Sequence, residues 1–178
     1  MSSPLTRLRF LRLRLTALLA LLALAAAVAA GWLYTDLGRL QAAERAAREG
    51  GEAARAYAAD MLSYDYRSVE EDLARARGHA TGALAEQYRR LAGTLVPEAK
   101  KLRKVQQAEV DDIAVESATP EEVRVLVFLN MTTTSPETGG KGARQEVAQN
   151  RARLVMVPVG NRWLVADLST LLGNTPIR

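Results

Sequence analysis

The side chains with the clearest catalytic potential in this chain belong to one triplet, Tyr64-Asp65-Tyr66. An aspartate between two tyrosines can supply a general base and a phenol that stabilises an enolate oxygen. A second carboxyl group is available nearby, from Asp60, Glu70 or Asp72. The same triplet is typical of a helix-terminal turn, in which the Asp65 carboxylate accepts hydrogen bonds from backbone amides. We expect the turn, and keep Tyr64, Asp65 and Tyr66 as candidate contacts for a partner or a ligand.

The histidine and cysteine content restricts the other chemistry that this sequence could support. His79 is the only histidine, and there is no cysteine. Zinc–thiolate sites, iron–sulfur clusters and cysteine nucleophiles are therefore excluded, and any serine–histidine triad would depend on His79. His79 lies near a predicted helix end, where a cationic side chain is favoured, so we expect a capping or surface role. We predict no catalytic, cofactor-binding or metal-binding residue, and no enzyme activity.

Trp163 is the remaining candidate for a functional contact. It precedes Val165 in an alternating apolar segment, which predicts that the indole packs in the core. A contact with a partner or a ligand is the alternative for Trp163.

An apolar run at residues 15–34 determines on which side of a membrane the rest of the chain is expected to lie. It reads LTALLALLALAAAVAAGWLY and has no charged residue. A helix of about 20 residues, rising about 1.5 Å per residue, crosses a hydrocarbon core of about 30 Å. Four arginines within residues 1–14 precede the run, and a basic flank stays cytoplasmic. The sequence thus predicts a cytoplasmic basic tail at 1–14, a single transmembrane helix at 15–34 and an extracytoplasmic remainder in contact with membrane lipid.

A cleaved signal peptide is the alternative for the same segment. Ala27-Val28-Ala29 has the small residues of a cleavage site. The apolar run is, however, longer than the usual h-region of about 7–15 residues. Trp32 and Tyr34 follow at its outer end, where aromatic rings favour the headgroup region. We therefore expect an anchor in the cell membrane rather than a leader that is removed.

The predicted outer part has no net charge. The chain has 24 Lys+Arg and 20 Asp+Glu, and the four arginines of the tail account for the difference. A neutral domain lacks the electrostatic field that drives binding to a phosphate backbone. We therefore predict no nucleic-acid partner.

Helical patterns fill most of the chain from residue 35 to about residue 97. Gly50-Gly51 interrupts the first of them and predicts a hinge or a point of close packing. Ser68 with Glu71 matches a capping box, and Pro97 is expected to kink or stop the last helix. The predicted helices are a stalk at 35–51, then 52–63, 68–78 and 81–97.

From Val105 onward the apolar period changes to two, which predicts strands. Gly160-Asn161 is a tight hairpin turn, and Pro158 should lie near a strand end or at an edge. Residues 135–142 form a loop by composition. The predicted strands lie near 108–117, 123–131, 151–159 and 162–168.

Helices followed by an antiparallel meander predict an α+β fold. This order resembles that of the NTF2-like fold, and the resemblance implies a cone of about three helices packed on a curved antiparallel sheet of about four strands. We assign this domain to residues 52–178.

The chain resembles the actinobacterial Mce-associated membrane proteins, where Mce stands for mammalian cell entry. The resemblance extends from the predicted span to about Leu172 and rests on the order of several short segments. These segments are 62–66 (LSYDY), the acidic 70–72, Thr81-Gly82, Tyr88, 125–130 (VLVFLN) and 162–168 (RWLVADL).

The resemblance implies a non-catalytic accessory or stabilising subunit of an Mce-type lipid import complex. Its partners would be Mce proteins and a YrbE-type permease, and no cofactor is implied. The outer domain is also similar to VirB8-like secretion-system subunits, so a secretion scaffold is an alternative. A further alternative is an NTF2-like enzyme or lipid-binding domain with Asp65 and Tyr64 or Tyr66 near its pocket.

Overall fold

The computed structural model describes residues 4–136 and 142–171, which form three helices and five strands. The chain is divided into two compact units, Met1–Gln41 and Ala42–Arg178. The strands and the last two helices belong to the second unit, together with the C-terminal part of the first helix.

Helix α1 is continuous from Pro4 to Leu62, so the stalk and the following helix are one element. Gly50 and Gly51 are both buried within it. A Cβ atom added to Gly50 would lie 3.0 Å from both Cβ and Cγ2 of Val123. Of the two alternatives for this pair, the hinge is wrong and the close packing is confirmed, because a larger residue at position 50 would not fit against Val123.

Within the residues that the structure describes, no helix reaches the length and apolar character needed to cross a membrane. Some side chains of the span predicted at 15–34 lie outside the described part. The large apolar side chains that are described between Leu18 and Trp32 are 55–74% exposed.

Helices α2 (Val69–His79) and α3 (Gly82–Leu102) follow α1. The capping box predicted at Ser68 is wrong, since its side chain makes no capping hydrogen bond. The predicted stop at Pro97 is also wrong, because α3 includes Pro97 and the residues beyond it. Ala99 is fully buried there, and tertiary packing of this kind offsets the weak helix propensity around a proline.

The sheet contains five antiparallel strands in the order β1-β2-β3-β4-β5. They are β1 (Tyr64–Asp65), β2 (Val105–Ala118), β3 (Val123–Pro136), β4 (Ala143–Val159) and β5 (Arg162–Leu171).

Two features of this sheet differ from the prediction. The sequence does not predict the short β1, which precedes the expected turn, so the sheet has five strands rather than about four. Strand β3 also extends through Pro136 into the predicted loop at 135–142, of which residues 137–141 lie outside the described part, and β4 begins at Ala143 rather than near residue 151. The Gly160-Asn161 hairpin is confirmed between β4 and β5. Pro158 lies near the end of β4, beyond its last pair with β3 at Met156, as predicted.

One hydrophobic core joins the helices to one face of the sheet. Alternate β3 residues from Val123 to Leu129 are at most 2% exposed, and Leu154, Met156 and Val165 continue this buried surface on β4 and β5. The predicted α+β class is therefore confirmed for the described residues.

Candidate functional site

The triplet Tyr64-Asp65-Tyr66 lies where α1 ends and the chain enters the sheet. Tyr64 and Asp65 pair with Gln106 and Val105 of β2, and the Tyr66 amide donates to the Lys104 carbonyl at 3.1 Å. Tyr64 and Asp65 are therefore held as an edge strand by backbone hydrogen bonds, and the expected turn follows directly, with the Ser68 amide donating to the Asp65 carbonyl at 3.0 Å.

The Asp65 carboxylate is bonded to its neighbour Arg67. Arg67 donates from Nη2 to Oδ2 at 2.7 Å, and from Nε and its backbone amide to Oδ1 at 3.0 and 2.9 Å. The side-chain hydrogen bond from Arg67 lowers the pKa of Asp65 below its ordinary value. A general base works best with a pKa near the operating pH, so this environment is opposite to what base catalysis at neutral pH requires.

The two tyrosines have different surroundings. Tyr64 is 8% exposed and belongs to the core, whereas Tyr66 is half-buried with the Arg67 guanidinium 5.4 Å from its ring centre. Neighbouring residues of a strand point to opposite faces of the sheet, so the Tyr64 phenol and the Asp65 carboxylate diverge. The structure places Tyr64 and Asp65 in one strand and Tyr66 in the turn that follows, and it does not bring a base and a phenol together.

Asp72 is the buried acid at this junction, with 7% exposure. Its Oδ2 accepts from the Asp65 amide at 2.9 Å and from Ser68 Oγ at 3.0 Å, and its Oδ1 accepts from Arg75 Nη2 at 2.5 Å. These bonds replace the capping box predicted with Glu71 and fasten the start of α2 to β1.

His79 connects the end of α2 to α1, a role that spacing along the sequence could not reveal. Its ring stacks on Tyr57 with centres 4.1 Å apart, and its Nε2 lies 3.1 Å from Asp60 Oδ2. Its Nδ1 is buried without a hydrogen-bond partner among the described residues. His79 is thus partly buried between helices and does not have the expected capping or surface role.

Tyr88 provides a second buried link between helices. Its hydroxyl donates to the carbonyl of Met61 at 2.9 Å. Burial raises the pKa of Tyr88 to about 12. The bond satisfies a carbonyl in the last turn of α1, so its role is structural.

Trp163 lies in a groove rather than fully inside the core. The indole is half-buried, and its Nε1 donates to Glu49 Oε2 at 3.2 Å. We call this cavity of about 350 Å³ the Trp163 groove; it is lined by Ala42, Arg45, Ala46, Glu49, Pro120, Pro158, Gly160, Asn161, Arg162 and Trp163. It combines Trp163 and two arginines, residue types that are enriched at protein interfaces, with two prolines and Glu49.

No group of three or more potential metal-ligating side chains is present in the described part of the chain. The acids of the junction are instead occupied by Arg67, Arg75 and His79. The arrangement can hold α1, α2 and β1 rigidly, and it leaves the Trp163 groove accessible.

Comparison with known sequences identifies one family. Residues 13–165 match the family described as "Uncharacterized protein Rv1363c/MT1408-like". The Mycobacterium tuberculosis protein Rv1362c is 29% identical over 151 residues, which cover 79% of this chain and 64% of that protein. The chain thus spans less than two thirds of that relative. A protein named outer membrane protein Rv1973, also from M. tuberculosis, is 30% identical over 62% of this chain and 67% of its own length.

Two solved structures that share this fold are a type IV secretion system protein and a VirB8 protein. An IcmL-like protein from Legionella pneumophila gives a TM-score of 0.54 at 10% identity, over 72% of this chain and 94% of that one. VirB8 of Agrobacterium tumefaciens gives 0.53 at 13% identity, over 71% and 92%. At such low identity these matches establish a VirB8-like fold and nothing about function.

Proposed function

We propose, because the chain belongs to the Rv1363c/MT1408-like family, that it is a non-catalytic accessory or scaffold subunit at the cell envelope. The observation that supports this most directly is how the polar residues of the junction are used. Asp65, Asp72 and His79 bond to neighbouring side chains and backbone groups and hold elements together. The domain is thereby suited to presenting a rigid surface to partners.

The VirB8-like fold and the relative named as an outer membrane protein support the envelope location. The exposed apolar surface of α1 between Leu18 and Trp32 supports it as well, because a patch of this kind needs cover from lipid or protein. We include in the proposal that residues 15–34 hold the chain in the cell membrane, with the N-terminus in the cytoplasm and the C-terminal domain outside.

We propose the Trp163 groove as the surface that contacts partner subunits. The finer assignment is an Mce-type lipid import complex with Mce proteins and a YrbE-type permease. It rests on the sequence resemblance, in which the segment 162–168 containing Trp163 is one of the matching elements. A VirB8-like secretion scaffold is the second candidate, and the fold supports it.

Purification of the full-length protein from its native membranes in mild detergent, with mass spectrometry of the eluate, tests the proposal. Recovery of Mce and permease subunits with an uncleaved N-terminus would support the Mce assignment. Recovery of secretion-system subunits would support the second candidate. Recovery of the protein alone, beginning near Ala30, would contradict both and favour a secreted ligand-binding domain.

A matched pair of variants tests the groove itself. Trp163→Ala should reduce the recovered partners at least fivefold, while Val159→Ala, on the same hairpin but outside the groove lining, should leave recovery unchanged. Trp163→Phe keeps an aromatic ring but removes the Nε1 bond to Glu49, so it separates the effect of packing from that of the hydrogen bond. It also disturbs the fold less than Trp163→Ala does. Equal recovery with all three variants would refute the groove as the contact.

A further inference from the structure

The first half of β4 is an exposed edge of the sheet. Strand β4 pairs with β3 from Ala143 to Met156, but its pairing with β5 begins only at Arg151, opposite Leu171. Within the described residues, Ala143–Asn150 therefore has one neighbouring strand. Along a strand the backbone groups point alternately to either side, so this edge presents N–H and C=O groups that can pair with another chain.

Two opposite charges lie two residues apart on this edge. Arg144 and Glu146 are exposed and share one face of β4. Their partners across the ladder on β3 are the uncharged Ser135 and Thr133. Neither charge forms an ion pair with any residue that the structure describes. Their charges are thus available to a chain that adds to the edge.

We propose that this edge pairs in antiparallel fashion with the same edge of a second copy, about a twofold axis at Gln145. In that register Arg144 lies opposite Glu146 of the second copy, and Glu146 lies opposite its Arg144. Opposite charges directly across a ladder are favourable, and like charges are unfavourable. An axis at Arg144 or at Glu146 would place a like pair in contact, so the charges select the register.

The charge pattern favours a second copy over an unrelated strand. Edges that avoid pairing usually have charged side chains, especially lysines, prolines or bulges, and such charges oppose pairing where a second copy would bring like signs together. Here the β3–β4 pairing has no register shift, and Ala143–Asn150 contains one cation, one anion and no proline. Such a sequence is complementary to itself. The interface uses a different surface from the Trp163 groove, so it stands or falls independently of the proposed function.

A single cysteine at the axis tests this register in the full-length chain in its native membranes. The sequence has no cysteine, so Gln145→Cys introduces the sole thiol. Opposite residues of an antiparallel pair have Cα atoms about 4.5–5.5 Å apart, inside the roughly 4.4–6.8 Å that a disulfide spans. Mild oxidation should convert Gln145→Cys to a covalent dimer.

Gln149→Cys is the matched control, because it changes the same residue type on the same exposed strand segment. In the proposed register its two copies would lie about 27 Å apart at about 3.4 Å per residue. It should therefore give less than a tenth of the cross-linked product. Equal yields at both positions, or no product at position 145, would overturn the proposal. So would a disulfide joining the Gln145→Cys variant to the Gln149→Cys variant when both are present in one membrane, since that bond indicates another register.

Charge reversal provides a second, independent measurement in the Gln145→Cys background. Arg144→Glu or Glu146→Arg alone puts like charges opposite each other twice, and should lower the cross-linked yield about tenfold or more. The double variant, and coexpression of the two single variants, should restore it. Arg151→Glu makes the same charge change where β5 covers the edge, and should have no effect. Single reversals without effect, or a double variant without recovery, would refute self-pairing.

Discussion

Replacing Gly50 by alanine should destabilise the domain, although alanine is the better helix former. Gly50 lies inside α1 and is buried. The new Cβ would lie 3.0 Å from Cβ and Cγ2 of Val123 and 3.4 Å from its Cγ1. Val123 is fully buried on β3. Side-chain rotation can move the methyl groups of Val123 but not its Cβ, so helix and sheet themselves must separate by a few tenths of an ångström.

Two opposing free energies determine the size of the effect. Exchanging glycine for alanine in a helix interior favours folding by about 1 kcal/mol. Forcing a methyl group into a packed core costs about 1–3 kcal/mol. We therefore expect Gly50→Ala to lower the free energy of unfolding by about 1 kcal/mol.

Two glycines in the same fold serve as controls. A Cβ at Gly93, in α3, would meet nothing within 4 Å, and one at Gly51 would make ordinary contacts of 3.5 Å with Ile113 and Val115. Alanine at either position should raise the free energy of unfolding, by up to about 1 kcal/mol. Gly50 and Gly51 are adjacent in one helix, so opposite signs at the two positions can only come from packing.

Chemical denaturation of the full chain in mild detergent measures these differences. Trp32→Phe leaves Trp163 as the only tryptophan. Its indole bonds Glu49 on α1, so its emission should change when α1 leaves the sheet. A Gly50→Ala variant that is as stabilised as Gly93→Ala would refute the close packing of α1 on Val123.

Three further predictions concern side-chain bonds. The hydrogen bond from Arg153 lowers the pKa of Glu116 below its ordinary value of 4.5, so the ionised carboxylate stabilises the fold above pH 4.5 and this contribution is lost as the pH falls through the folded-state pKa. Glu116→Gln should therefore flatten the acid side of the stability–pH profile measured by denaturation. Tyr88→Phe should cost about 1–3 kcal/mol, because the buried Met61 carbonyl loses its donor. Asp72→Ala should cost at least about 2 kcal/mol and increase amide exchange at β1 and the start of α2, because three donors lose their acceptor.

Each of these predictions has a clear contrary result. Unchanged acid sensitivity in Glu116→Gln would mean that the Arg153 bond does not persist in solution. Wild-type stability in Tyr88→Phe would mean that Met61 has another donor. Unchanged amide exchange at β1 in Asp72→Ala would show that the backbone ladder alone holds that strand. The free energy of unfolding of Asp72→Asn, which keeps two acceptor positions on Oδ1, should lie between those of Asp72→Ala and the wild type.

The α+β class and most of the strands follow from the amino-acid order. The apolar period of two from Val123 to Leu129 is visible in the sequence, because alternate side chains face the core. The Gly160-Asn161 turn and the place of Pro158 also follow from local backbone preferences. Such features depend only on neighbours within a few residues, so the amino-acid order is sufficient to predict them.

The roles of Gly50, Pro97 and the candidate site depend on long-range packing. Gly50 matters because Val123 packs against it across 73 residues of sequence, and α3 continues through Pro97 with Ala99 fully buried beyond it. Asp65 and Tyr64 diverge because a long-range pairing with β2 makes them a strand. His79 reaches Asp60 and Tyr57 only once α2 has folded against α1. Contacts between distant segments have no periodic signature in the sequence, so no local pattern could have predicted them.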